Sequence, residues 1–141
     1  MIIDAIRNGI VIDHIPARLS MELYRILELD QLTCSVAILK NVSSSKLGKK
    51  DIIKIDDIID LNWDIIGYID PAITVNIIRN GELAEKRHPQ LPNRLTNVIF
   101  CENPRCITTT EQELPHIFKL TDPEQRIYRC IYCEARAKKH E

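Results

Sequence analysis

The residues whose types and spacing most plainly allow chemistry are four cysteines in the last third of the chain. Cys101 and Cys106 form a C-x4-C pair, Cys130 and Cys133 a C-x2-C pair, and twenty-three residues separate the pairs. Two close pairs joined by a longer loop have the spacing of a tetrathiolate metal site, in which each pair sits on a tight turn that points both sulfurs inward. Asn103 and Pro104 suit the turn of the wider pair. Disulfides are disfavoured in a chain with no secretion signal, and iron–sulfur runs are usually tighter, so the expected metal is Zn2+, one per chain. Four thiolates leave zinc no open position, which makes its expected role structural. His116 and His140 lie near in sequence but are not needed as ligands. Cys34, in an apolar run, reads as an inert core residue.

A second set of polar residues lies upstream and is less specific. Asp13 and His14 close a β-branched run, Lys46, Lys49, Lys50 and Lys54 cluster around Gly48, Asn76 sits inside an apolar strand pattern, and Lys86 and Arg87 follow. Taken one at a time, Asp13 and His14 read better as a capped turn and the lysines as a solvated loop. On one sheet, such residues could bind a nucleotide: the acid to ribose, the amide to a base, the lysines and histidine to phosphates. Neither a Walker A loop nor a G-x-G-x-x-G turn is present. No Ser/His/Asp grouping with a nucleophile elbow and no HExxH occurs, so nothing points to a catalytic residue.

These groups must be positioned by two kinds of scaffold. Residues before about 90 are apolar and periodic, whereas those after carry the cysteine pairs and shorter apolar runs. His88–Asn93, with two prolines, reads as an extended connector. Two small domains are expected, at 1–89 and 94–141. In the first, Ile10–Ile12 reads as a strand that Ile3–Ile6 extends upstream, and Pro16 suits the first turn of a helix. Leu19, Leu23, Ile26 and Leu27 make a helical stripe. Thr33–Lys40 and Asp51–Ile55 read as strands, and Ile58–Ile69 fits a helix that Pro71 would end. Ile73–Arg79 and Glu82–Arg87 form a hairpin around Asn80-Gly81. The order β-α-β-β-α-β-β predicts an α+β fold, a ferredoxin-like antiparallel sheet with two helices on one face. So thin a core makes a pairing partner expected. In the second domain, Val98–Phe100 reads as a strand leading into Cys101. At about 48 residues this β-rich segment is too small for a core of its own without metal.

Composition narrows the classes further. The chain has 141 residues, 19 basic and 20 acidic, with a net charge of −1 and 45% hydrophobic residues, so it should fold. A pI near 6.4 argues against a generic nucleic-acid binder, as do the eight basic and seven acidic residues of 93–141. No apolar run approaches a membrane span, and the first residues do not resemble a signal peptide, so a cytoplasmic protein without a membrane partner is expected.

Several blocks resemble one family in order along nearly the whole chain: Gly9–Ala17 (GIVIDHIPA), Gly48–Ile55 (GKKDIIKI), Pro71–Asn76 (PAITVN), Pro89–Val98 (PQLPNRLTNV), and the two cysteine pairs. They resemble the regulatory chain of aspartate carbamoyltransferase. The resemblance implies a chain without catalytic activity in pyrimidine biosynthesis, with an N-terminal allosteric domain and a C-terminal zinc domain that docks on the catalytic chain. It implies ATP as activator and CTP, often with UTP, as inhibitor. It also implies regulatory homodimers bridging catalytic trimers into a dodecamer of six catalytic and six regulatory chains.

Position by position, Asp4 and Ile6 match the segment at the base. Val11, Asp13 and His14 match ribose- and phosphate-side positions, and Lys50 and Lys54 match lysines near base and ribose. Asn76 and Ile78 match positions at the base, and Leu83 and Lys86 match positions beside the triphosphate. Asp4 replaces a common Glu, Gly81 stands where the best-known members have Tyr, and the N-terminal arm is shorter. These departures bear on effector selectivity. A small-molecule sensor unrelated to this enzyme is the other class that such a sandwich would serve.

Overall fold

The computed structural model describes residues 6–138 and divides the chain into two compact units, one ending at Gln90 and the next beginning at Leu91. The first unit runs β1 (Gly9–Pro16), α1 (Ser20–Ile26), a 3-10 turn (Leu29–Gln31), β2 (Val36–Ser44), β3 (Gly48–Ile55), α2 (Trp63–Ile69), β4 (Thr74–Arg79) and β5 (Glu82–Arg87). Its sheet has the order β2-β3-β1-β4-β5, with every neighbouring pair antiparallel. This is the expected α+β arrangement, with the first and third strands side by side at its centre.

Alternation decides which side chains the sheet offers to each face. Ile10, Ile12, Ile53, Ile55 and Val75 are all about fully buried, and cross-strand pairing sets Ile10 opposite Ile55 and Ile12 between Ile53 and Val75. They form the core with Leu23 of α1 and Ile65, Ile66 and Ile69 of α2, and α1 packs on both α2 and β3. The intervening residues point to the other face. Asn80 and Gly81 both have positive φ (54° and 77°), the geometry of a two-residue I′ turn joining β4 to β5.

The helices begin later than their apolar patterns. Pro16 ends β1 opposite Lys50 instead of opening α1, and its carbonyl accepts the Leu19 N–H in a turn at 3.0 Å. Residues 58–62 are not helical. Asn62 caps α2 by accepting the Ile65 N–H at 3.3 Å, so the helix starts at Trp63. Strand β2 starts at Val36, which leaves Cys34 half-buried in the preceding loop.

The second unit contains β6 (Arg94–Thr96), a short helix α3 (Ile107–Thr110), β7 (Ile117–Asp122) and β8 (Ile127–Cys130), with the sheet order β6-β7-β8. The strand expected at Val98–Phe100 lies earlier, at Arg94–Thr96. Asn97 takes φ 57°, its N–H donates to the His116 carbonyl at 2.7 Å and its side chain accepts the His116 N–H at 2.9 Å. That turn ends the strand and leaves Phe100 61% exposed. The core is small: Leu95, Phe118, Tyr128 and the buried cysteines, with the Tyr128 hydroxyl donating to the Pro92 carbonyl at 2.6 Å.

Candidate functional site

The helix-free face of the five-stranded sheet gathers the polar residues singled out in the first unit. Val11 of β1 stands between Lys54 of β3 and Asn76 of β4, and Asn76 stands opposite Lys86 of β5. Beyond the irregularity after Ile77, Ile78 pairs with Leu83. One row thus crosses four strands and carries Lys54, Val11, Asn76 and Lys86. Ile6 is half-buried just upstream of β1. Asp4 lies outside the described residues.

Asp13 and His14 occupy a bulge. Ile12 pairs with Ile53 and Ile15 with Asp51, so two residues of β1 oppose Ile52 alone. His14 takes φ 60° and donates its backbone N–H to the Asp13 carboxylate at 2.6 Å. The Lys50 ammonium reaches the same carboxylate oxygen at 2.9 Å. Burial pushes the Asp13 pKa up, but the Lys50 and His14 hydrogen bonds outweigh it and hold the carboxyl below its ordinary value. The His14 Nδ1 is enclosed and has no hydrogen-bond partner, a position that calls for a further polar group. Lys54 forms no ion pair with another described residue. The bulge therefore presents a paired carboxylate and an imidazole nitrogen without a hydrogen bond, 4.0 Å from that carboxylate, next to the row that holds Lys54 and Lys86.

Sequence reasoning missed Asp51. It is fully buried on the core side of β3, where it accepts the Ser20 hydroxyl at 2.6 Å, the backbone N–H of Asn41 at 3.0 Å, that of Arg18 at 3.2 Å and that of Ser20 at 3.4 Å. Leu19, at the N-terminus of α1, makes no side-chain cap, so the strand carboxylate does that work. Burial works against this carboxylate too, and the four donors still lower its pKa. The available signal was the period of DIIKI, in which Asp51 falls in step with Ile53 and Ile55.

In the second unit the four cysteines converge, with all four sulfurs within 4.8 Å of one another. Cys101 and Cys133 sulfurs are 3.5 Å apart, and those of Cys106 and Cys130 3.7 Å. A tetrahedron with metal–sulfur bonds of about 2.3 Å requires sulfur separations of about 3.8 Å, so the donor set fits such a metal ion. The second turn also supplies a backbone donor to sulfur, the Ala135 N–H to Cys133 at 3.4 Å. The Thr108 hydroxyl adds a bond to Cys106 at 3.0 Å. Burial would keep Cys106 a thiol, but the Thr108 donors bring its pKa down to about 7. His116 stands outside the sulfur set: its Nδ1 accepts the Cys101 N–H at 3.1 Å and its ring meets Phe100 edge-on. His140 lies outside the described residues.

Two family models match in tandem: the allosteric domain of the aspartate carbamoyltransferase regulatory chain over residues 1–90, and the metal-binding domain of that chain over residues 93–141. The chain belongs to the aspartate carbamoyltransferase regulatory chain family. Relatives named as this regulatory chain include one from Clostridium botulinum strain Hall, 47% identical over 94% of this chain and 90% of its own length. Another, from Clostridium tetani, is 47% identical over 94% of this chain and 92% of its own. A third, from Bifidobacterium longum, is 41% identical over 98% and 99%. Membership makes this a regulatory, non-catalytic chain with an allosteric domain and a metal-binding domain, and places the four-sulfur cluster in the latter. Among the described residues no helix is long and apolar enough to cross a membrane.

Proposed function

We propose that this chain is the nucleotide-sensing subunit of a cytoplasmic aspartate carbamoyltransferase in pyrimidine biosynthesis. Residues 1–89 bind ATP, CTP and UTP, and residues 94–141, folded around one Zn2+, dock on the catalytic chain. Regulatory homodimers then bridge catalytic trimers into a dodecamer. The single observation that carries the nucleotide assignment is the sheet face, where Lys54, Val11, Asn76 and Lys86 stand in one cross-strand row beside the Asp13–His14 bulge. Its chemistry suits the ligand: Asp13 for ribose hydroxyls with Val11 beside it, Lys54 for base and ribose, Lys86 for phosphate, Asn76 with Ile6 and Ile78 for a base, and His14 Nδ1 for the acceptor or donor it lacks. Lys50 positions Asp13. Asp4 would add an acid at the base. Nothing lies within 4 Å of a Cβ at Gly81, where the best-known members carry Tyr, so the sheet is open at that position.

Regulation is a population shift. Purine and pyrimidine effectors share the phosphate contacts and differ at the base, so they bias two quaternary states unequally. A nucleotide of equal affinity for both states would change nothing. The test is to mix the zinc-loaded chain with its catalytic partner, measure assembly size, and assay activity with each nucleotide. A large assembly whose activity responds to ATP and CTP in opposite senses is expected. In Lys54→Gln, nucleotide affinity should fall about ten-fold with assembly intact, the loss of one charge-assisted contact. Failure of the zinc-loaded chain to join any catalytic chain would sink the assignment.

A further inference from the structure

The exposed face of the second unit's sheet carries a row of like charges. Arg94 of β6 pairs with Lys119 of β7, Lys119 pairs with Arg129 of β8, and Arg129 forms a further antiparallel bridge with Arg136. Four cations from four chain segments therefore lie side by side, with directly opposite neighbours about 5 Å apart. Half of the basic residues of 93–141 stand in this one row, in a segment whose basic and acidic residues nearly balance. Like charges directly opposite each other weaken a sheet. This sheet has three such pairs in succession, and Arg94, Lys119 and Arg136 have no ion pair with another described residue to offset them.

The row is not a flat solvated face. Arg94, Lys119 and Arg129 border a depression of about 560 Å³, with Thr121, Ile131 and the metal-site residue Cys130 also lining it, which is within the size range of small-molecule sites. The Arg129 guanidinium is held at the rim by a bond to the Glu134 carbonyl at 3.1 Å. Glu134 also borders the depression, and its one negative charge leaves the three cations there in excess.

We propose that this depression binds a compact polyanion carrying two or more phosphate or carboxylate groups, at a site separate from the nucleotide face of the first unit. Two arginine forks can each take an oxyanion in bidentate fashion while the Lys119 ammonium bridges them. A concave pocket favours a small ligand over an extended acidic surface. The site does not depend on the nucleotide assignment.

The test uses the metal-loaded full chain, with tripolyphosphate and citrate as probes of the two oxyanion types and acetate as a monovalent control. Saturable tripolyphosphate or citrate binding is expected to shift the amide resonances of 94, 119 and 129. Its affinity should fall about ten-fold in each of Arg94→Gln and Lys119→Gln, which each remove one charged contact. It should persist in the first-unit variant Lys54→Gln. Because Lys119 has like charges on both sides, Lys119→Gln should melt no lower than the parent chain, which separates lost binding from lost folding. Binding no tighter than that of acetate would overturn the proposal. So would binding indifferent to the row substitutions, or binding that disappears with Lys54.

Discussion

At the residue scale, Asp51 carries the strongest consequence. One buried carboxylate satisfies donors from Arg18, Ser20 and Asn41, residues that meet only in the folded chain. Asp51→Ala would strand those donors and should cost about 2–4 kcal/mol in chemical denaturation, with Asp51→Asn costing less because one acceptor oxygen remains. The pH dependence has a definite sign. The folded-state pKa lies below the ordinary carboxylate value, so the stabilisation is complete above that value and is lost as pH falls through the depressed folded pKa. Denaturation of the parent chain should steepen in that acid window, and the Asp51→Ala chain should lose that part of the slope. Equal slopes in the two proteins would contradict it. The metal ligands were legible residue by residue, because short Cys spacings specify which sulfurs share a turn. The Asp13–His14 bulge was not legible, because it arises from pairing with β3, and no local property of Ile12–Ile15 reveals it.

At the scale of elements, α2 is held close to the chain that leaves the first unit. A Cβ at Gly67 would run into the backbone carbonyl of Gln90. On helix propensity alone, Gly67→Ala should stabilise the chain by about 1 kcal/mol. Collision with backbone, which cannot rotate aside as a side chain can, should reverse the sign and cost about 1–3 kcal/mol. A melting temperature several degrees below the parent's is the expected result, and a higher one would mean that the connector yields freely. Strands β1, β3, β4 and β5 were readable from β-branched runs and the Asn80-Gly81 turn. Helix α2 was readable in type but not in extent, since Ile58 and Leu61 continue its period while the Asn62 cap excludes them. The position of β6 was misjudged because Val98–Phe100 is the more apolar run, and the left-handed turn at Asn97 takes precedence over it.

At the scale of the whole molecule, the two units have different sources of stability. The first has a core of isoleucine-rich strands, whereas the second has three large buried side chains besides its cysteines. A small metallo-domain of that kind draws much of its folding free energy from the metal. Chelation should therefore collapse amide dispersion across 94–138 while sparing the first unit. The only tryptophan, Trp63, lies in the first unit with the Arg87 guanidinium 4.0 Å over its ring, and its fluorescence should not change. A Trp63 signal that fell with the metal would refute this separation. The division of labour was legible from the uneven cysteines, and so was the ferredoxin-like order of elements. Strand register was not, since irregularities in β1, β2 and β5 each shift the pairing by an amount that no single-strand pattern encodes.

The capping of α1 by Asp51 also bears on the order in which this chain acquires structure. A seven-residue helix with no cap of its own has almost no helical population in water as an isolated segment. Its missing acceptor arrives from a strand thirty-one residues downstream, so α1 becomes persistent only when β3 is seated against β1. The two belong to one cooperative unit, and amide hydrogen exchange should find Leu23 and Ile53 opening together, with neither released ahead of the other.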